Sequence, residues 1–222
     1  DPFIVLSDAD IDKAVDIAAL SRIINAGQSC IAAKRMIVMH DIYETFIERL
    51  KTKLAALKVG NPMDESTDVG PLARGDLRDN LDRQVSESIA AGAKCLLGGK
   101  PLAGEGFYYP VTLLTDVTED MTVFKEETFG PVAVVIKAQS VEHAVDLANN
   151  TDYGLGAGVW TNDTQLAEKI ALQIDAGQVA INGIVKTDPR LPSGGIKRSG
   201  YGRELGPHGI KEFVNAKQIW IA

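Results

Sequence analysis

Cys30 closes the run Gly27-Gln28-Ser29-Cys30 and is followed at once by Ile31-Ala32-Ala33-Lys34-Arg35. The run joins a helical pattern to a strand-like one, a junction that can present a side chain at the rim of a sheet. A thiol there is a nucleophile for a carbonyl carbon. A free Cys with pKa about 8.5 is a few per cent thiolate at neutral pH, and a nearby positive charge or helix terminus raises that fraction. A buried, inert Cys is the alternative, since free Cys is among the most often buried residue types. The second thiol, Cys95, lies in Ala93-Lys94-Cys95-Leu96-Leu97, a short apolar run closed by Gly98-Gly99, where a small buried side chain is expected. The distance between the two cysteines, with His40, His143 and His208 scattered, gives neither a disulfide framework nor metal-ligand spacing, so no metal site is expected.

Two glycine-rich stretches imitate phosphate cradles. Gly154-Leu155-Gly156-Ala157-Gly158 precedes its strand, whereas a dinucleotide fingerprint follows a strand and opens a helix. Pro192-Ser193-Gly194-Gly195-Ile196-Lys197 lacks the gap and the Gly-Lys-Ser/Thr end of a P-loop. Both read better as close packing or positive φ in loops near a cleft. Lys197, Arg198 and the acids Glu126-Glu127, taken by themselves, read as solvated surface charges.

The elements that must position Cys30 are legible from periodicity. Ser7-Asp8-Ala9-Asp10 has the form of an N-cap with an acid three positions on, and Ile11, Ala14, Val15, Ile17, Ala18 and Ile23 recur at helical spacing, so a helix leads towards Cys30. Met36–Met39 reads as a buried strand. Asp41 is expected to cap a second helix with Ile42, Phe46, Ile47, Leu50, Leu54 and Leu57 as its stripe, ended at Gly60-Asn61-Pro62. Leu77, Leu81, Val85 and Ile89 mark another helix, stopping at Gly92 before the Cys95 strand and a strand-like run from Phe107 to Leu114. The alternation continues as strand 132–136, helix 141–148, strand 158–160, helix 164–174 and strand 178–181, the pattern of an α/β fold with a largely parallel sheet and flanking helices. The tail from Phe213 to Ile221 is extended in character and is expected to pair with another subunit.

The bulk numbers bound the function. With 222 residues, 45% of them hydrophobic and 24% charged, the chain has the composition of an ordinary soluble globular protein. A formal net charge of −7 disfavours a nucleic-acid partner, because Lys34-Arg35 and Lys197-Arg198 are isolated pairs and not a basic stripe. No segment approaches the roughly 20 apolar residues that span a bilayer, and no basic region precedes an apolar one at the start. A cytoplasmic protein with no membrane partner is expected.

Four stretches in order carry a resemblance. They are Gly27-Gln28-Ser29-Cys30, then Lys125-Glu126-Glu127-Thr128-Phe129-Gly130-Pro131-Val132, then Asn149-Asn150-Thr151-Asp152-Tyr153-Gly154-Leu155, and finally Pro192 through Gly206, ending in Arg203-Glu204-Leu205-Gly206. Together they resemble the aldehyde dehydrogenase superfamily over nearly the whole chain, and in detail its succinate semialdehyde dehydrogenase branch. The resemblance implies that Cys30 attacks an aldehyde, that the thiohemiacetal gives hydride to NAD or NADP, and that a thioester is then hydrolysed. It implies that Glu127 accepts hydrogen bonds from the nicotinamide-side ribose, that Phe129 packs near the nicotinamide, and that Glu204 is a proton relay or else pairs with Arg203. Asn182 and Thr187 fall where the family's substrate-facing loop runs.

The same resemblance implies residues that this sequence does not contain. A nucleotide-binding domain, an oxyanion-holding Asn and a Glu-Leu-Gly-Gly segment whose Glu activates water belong before Asp1-Pro2-Phe3. Residues 1–206 are therefore expected to be a catalytic domain and 207–222 an oligomerisation tail. The chain by itself is expected to be inactive, with apolar surface towards the missing domain. In well-known members of the branch an Arg stands six residues before the nucleophile. Here that position is Ile24, with Arg22 two residues earlier, and Lys186 and Arg190 are the other partners for a substrate carboxylate. A CoA-acylating enzyme or cysteine acyltransferase, passing the thioester to a thiol, is the alternative function, and a folding and assembly module without activity is a third.

Overall fold

The computed structural model describes residues 1–222. In chain order the elements are β1 (Pro2–Val5), α1 (Ile11–Ile23), a 3-10 turn (Ile24–Gly27), β2 (Arg35–Met39), α2 (Tyr43–Ala55), α3 (Gly75–Ala90), β3 (Lys94–Leu97), β4 (Thr112–Thr115), α4 (Thr122–Lys125), β5 (Val132–Ala138), α5 (Val141–Asn149), β6 (Tyr153–Gly154), β7 (Gly156–Trp160), α6 (Thr164–Ala171), β8 (Gln178–Ile181), β9 (Ile196–Lys197) and α7 (Gly206–Lys211). Seven strands form one sheet in the order β3-β4-β5-β2-β1-β7-β8, and β6 pairs with β9 in a separate ribbon. Every neighbouring pair in the large sheet is parallel except β3–β4.

Both faces of the sheet are covered, so its central strands, apart from Arg35 opening β2 and Lys137 late in β5, are continuous apolar runs instead of alternating. Phe3, Val5, Met36 and Val38 pack with Ala14, Val15 and Ala18 of α1 and Phe46, Leu50 and Leu54 of α2. Ile4, Ile37 and Val134 point the other way, towards Leu81 and Val85 of α3, Leu147 of α5 and Ile170 of α6. This double burial makes β1 the centre of the fold although its run Pro2–Val5 is only four residues long.

Several expectations are corrected. Asp10, not Ser7, caps α1, accepting from the Lys13 amide at 3.2 Å. Asp41 caps nothing; it accepts the Ser7 hydroxyl at 2.8 Å, and α2 starts without a side-chain cap. The strand expected from Phe107 begins only at Thr112, because Pro110 has no N–H to give a ladder. Cys95 is exposed, with its thiol donating to the Leu97 carbonyl at 3.3 Å, since β3 is an edge strand whose outer face nothing covers. Lys197 is not a free surface charge. It donates to the carbonyls of Asn149 (3.1 Å) and Thr151 (3.3 Å) and pairs with Asp175 (3.1 Å). Residues 212–222 make no strand within the chain, and α7 precedes them. No helix is long and apolar enough to cross a membrane.

Candidate active site

A cleft of about 210 Å³ opens where the chain enters β1, β2, β5, β7 and β8, lined by Cys30, Lys34, Glu127, Tyr153, Gly156 and Asp175 among others. All of these loops precede parallel strands, so the cleft lies at the amino ends of the sheet. Open α/β sheets ordinarily bind ligands at the carboxyl ends, where helix N-termini supply positive potential. Here the opposite helix ends face the cleft. The C-termini of α1 and α5 bring orphan carbonyls and partial negative charge, which favour cations.

Buried cations meet that requirement. Arg35 donates to the carbonyls of Leu147 (2.7 Å) and Ala148 (2.9 Å) in the last turn of α5, with its guanidinium 5.1 Å from the Phe124 ring centre. Arg22, 0% exposed, donates to the Gly27 carbonyl at 2.8 Å, just past α1. Its Nε and Nη1 are buried without a partner, and burial pulls its pKa down to about 10. Lys34 is the third. Its ammonium donates to Ser29 (3.1 Å), Cys30 (3.3 Å) and Ala32 (3.4 Å) carbonyls and pairs with Glu127 at 3.2 Å. Burial, then the like charge of Arg22, pulls Lys34 down to about 8 against the support of Glu127. A depression of that size means that the buried ammonium is disfavoured by about 3 kcal/mol relative to water.

Cys30 itself is exposed at the cleft, so the reading as an inert core thiol does not apply. It ends a turn with three successive left-handed residues, Asn25 (φ 52°), Ala26 (φ 54°) and Gly27 (φ 77°). Gln28 pins the turn from outside, accepting from the Ala73 amide at 2.9 Å and donating to the Asn25 carbonyl at 3.2 Å.

The turn and the Glu127 loop are in direct backbone contact: a Cβ on Gly27 would lie 2.1 Å from the Gly130 carbonyl oxygen. Two sequence motifs a hundred residues apart thus meet because β2 and β5 are neighbours in the sheet. The Glu127 side chain is 39% exposed, with its carboxylate on Lys34 and on the cleft. Phe129 lies beside it, its ring centre 5.7 Å from the Lys34 ammonium. The Glu126 carboxylate is held by Arg83 (2.6 Å) and Gln84 (2.9 Å), while Gln84 also donates to the Glu127 carbonyl at 3.1 Å.

Other expected residues lie elsewhere. Glu204 does not line the cleft; its backbone pairs with Ser193, and Arg203 spends its donors on the carbonyls of Gly195 and Gly202 instead of on Glu204. Asn182 fastens its own loop to Thr161, accepting from that residue's amide at 3.1 Å and donating to its carbonyl at 2.8 Å. Thr187 is exposed. Arg190 forms a two-pronged pair with Asp188, which holds the Asp188 carboxyl down at about 2. The glycines read as packing devices are such. A Cβ on Gly154 would meet the Asp175 carbonyl at 2.6 Å, and one on Gly177 would meet the Gly194 carbonyl at 1.7 Å.

Lys34 is the site residue that sequence reasoning passed over, and Arg22, weighed for a substrate carboxylate, lies buried beneath the turn instead. The available signal was a lysine at the entrance to the apolar run Met36–Met39, where a charge must have a reason to be buried.

The aldehyde dehydrogenase family model matches residues 1–219. Over 221 residues the chain is 52% identical to the succinate-semialdehyde dehydrogenase [NADP(+)] 1 of Mycobacterium ulcerans (strain Agy99), covering 100% of this chain and 48% of that protein. It is similar to the solved structure of Gox0499, with a TM-score of 0.95 and 46% identity over 100% of this chain and 49% of that one. It is similar also to betaine aldehyde dehydrogenase from Staphylococcus aureus in complex with NAD+, with a TM-score of 0.91 and 33% identity over 96% of this chain and 43% of that one. The chain spans about half the length of the curated relatives it matches. With a family match along almost every residue, and the Cys30 turn and Glu127 loop joined in one cleft, this chain belongs to the aldehyde dehydrogenase family.

Proposed function

We propose that residues 1–222 are the catalytic portion of an NADP- or NAD-dependent aldehyde dehydrogenase acting on succinate semialdehyde, in the cytoplasm. The observation that carries the reading is that Cys30 and Glu127 share one cleft, their loops in backbone contact through Gly27 and Gly130. Cys30 Sγ adds to the aldehyde carbon, with the Cys30 backbone N–H proposed as a donor to the oxyanion that forms. Loss of hydride leaves a thioester, which water cleaves to the acid, returning the thiol. The nicotinamide cofactor, when bound, supplies the hydride acceptor. Glu127 fits its ribose: an ionised carboxylate is acceptor-only, and part of this one is open to the cleft. Phe129 offers an apolar wall beside it. Glu204 carries a relay role by resemblance alone. The substrate is taken from the name of the relatives at 52% identity. Of the cations weighed for its carboxylate, Arg22 is sealed beneath the turn and Arg190 is engaged by Asp188, which leaves Lys186.

The test is reduction of NADP and NAD by succinate semialdehyde, measured on a full-length enzyme carrying residues 1–222 and on this chain alone. Turnover is expected from the full-length protein. None is expected from the chain alone, which spans about half the length of the curated relatives it matches. A chain that turned over unaided would overturn the division of labour, and a full-length protein inert towards aldehydes would overturn the function.

The tail is proposed as a subunit contact. Phe213 (90% exposed) and Trp220 (82%) stand out with Val214, Ile219 and Ile221, five large apolar side chains left in solvent within nine residues. Light scattering of the purified chain is expected to show self-association that truncation after Lys211 reduces; a clean monomer would count against the contact.

A further inference from the structure

We propose, resting on the function just given, that Lys34 is a positioning residue that couples the two halves of the site, its ammonium tying the Glu127 carboxylate to the carbonyls of the Cys30 turn. Four acceptors surround three protons. The carbonyls of Ser29, Cys30 and Ala32 lie at 3.1, 3.3 and 3.4 Å, and Glu127 Oε1 lies at 3.2 Å. The Lys34 side chain is 8% exposed and its ammonium also faces the Phe129 ring. The Glu127 carboxylate and the backbone of Cys30 therefore meet on this one cation. No other side chain spans the same two segments: Gln28 reaches from the turn to Ala73, and Gln84 reaches from α3 to the Glu127 loop.

Packing does not explain the residue. The groups that face it are Glu127 from the loop before β5, Cys30 from its own turn and Arg22 from α1. Glu127 is the single acid that supports the charge by hydrogen bond, and Arg22 opposes it. An apolar side chain of the same length would fill the space without that penalty, so the charge is retained for what it holds in place. The consequence is a pair of linked properties. Glu127 is presented to the ribose in one orientation, and the carbonyls of Ser29, Cys30 and Ala32 are held on the ammonium, which fixes the turn that carries the thiol.

The experiment compares Lys34→Met, Lys34→Arg and Cys30→Ala in the full-length enzyme. Lys34→Met is expected to raise the cofactor KM about tenfold or more at pH 7, the usual scale for losing a charged hydrogen-bond partner, with the aldehyde KM within about twofold. The parent's cofactor KM is expected to climb above about pH 8, where the ammonium is lost, while Lys34→Arg, which does not titrate there, holds its value. A Lys34→Met enzyme with an unchanged cofactor KM at pH 7 refutes the coupling, and so does a parent whose cofactor KM stays flat above about pH 8. If Lys34→Arg fails to fold, the Lys34→Met comparison decides. Turnover by Cys30→Ala would break the underlying function instead, so the two failures are distinguishable.

Discussion

Replacing Cys30 by Ala is expected to lower aldehyde-dependent cofactor reduction by on the order of 10⁴- to 10⁶-fold in the full-length enzyme, the scale seen when a covalent nucleophile is removed. The residual rate would come from binding and from the Cys30 backbone N–H, which Ala retains. Folding is expected to be unaffected. The thiol is exposed and makes no hydrogen bond within the chain, and substitutions at such positions fall within about 0.5 kcal/mol, or about 2 °C in Tm for a protein of this size. Cofactor affinity is expected to stay within about twofold, because Glu127 and Lys34 are untouched. The combination of lost kcat with preserved binding and melting is what distinguishes a nucleophile from a scaffold residue. Steady-state kinetics with a thermal melt supply all three readings, and turnover within tenfold of the parent would remove Cys30 from the chemistry.

The sheet and its helices were largely legible because both periodicities are strong. The stripe Phe46, Ile47, Leu50, Leu54 and the apolar runs at 36–39 and 132–136 correspond to α2, β2 and β5 within a few residues. β1 escaped notice because a central strand buried on both faces shows no alternation, and four residues are too few for any other signal. The ribbon of β6 and β9 was illegible for a different reason. It is two residues wide, and it forms through Gly154 and Gly195 packing against backbone, a tertiary fact that glycine content announces without locating.

The site was legible as residue types and not as electrostatics. Cys30 and Glu127 stood out through the motifs that contain them. The helix terminus invoked as possible help for a thiolate is a C-terminus in the fold, and the positive charge at the cleft comes instead from Lys34, Arg22 and Arg35. Only strand direction reveals this. Once the site lies at the amino ends of parallel strands, the helices deliver carbonyls to it, and buried cations become a structural necessity. In the sequence the same three residues look like surface charge.

That geometry leaves no room for a side chain at Gly27. Gly27→Ala is expected to destabilise the chain by about 3 kcal/mol and to lower kcat/KM by about 100-fold. Two costs combine. The residue has φ 77°, where an L side chain costs roughly 1–2 kcal/mol. Its Cβ would also sit 2.1 Å from the Gly130 oxygen, 2.3 Å from the Gly130 carbonyl carbon and 2.9 Å from the Pro131 nitrogen, all backbone atoms that no rotamer change can move. Relief requires the Cys30 turn and the Glu127 loop to part by about an ångström, a displacement that misaligns nucleophile and cofactor and costs about 10² in rate. Arg22 makes the separation harder, since it holds the Gly27 carbonyl from beneath at 2.8 Å. Gly130→Ala is the informative control. Its Cβ meets Leu81 Cδ2 at 2.3 Å, the end of a flexible side chain in the core, so stability is expected to fall while the distance between the two loops, and hence kcat/KM, changes much less. Melting curves and kinetics of the two variants in the full-length enzyme separate these effects. Equal losses of activity in both, or a Gly27→Ala enzyme within threefold of the parent, would show that contact between the two loops does not set the rate.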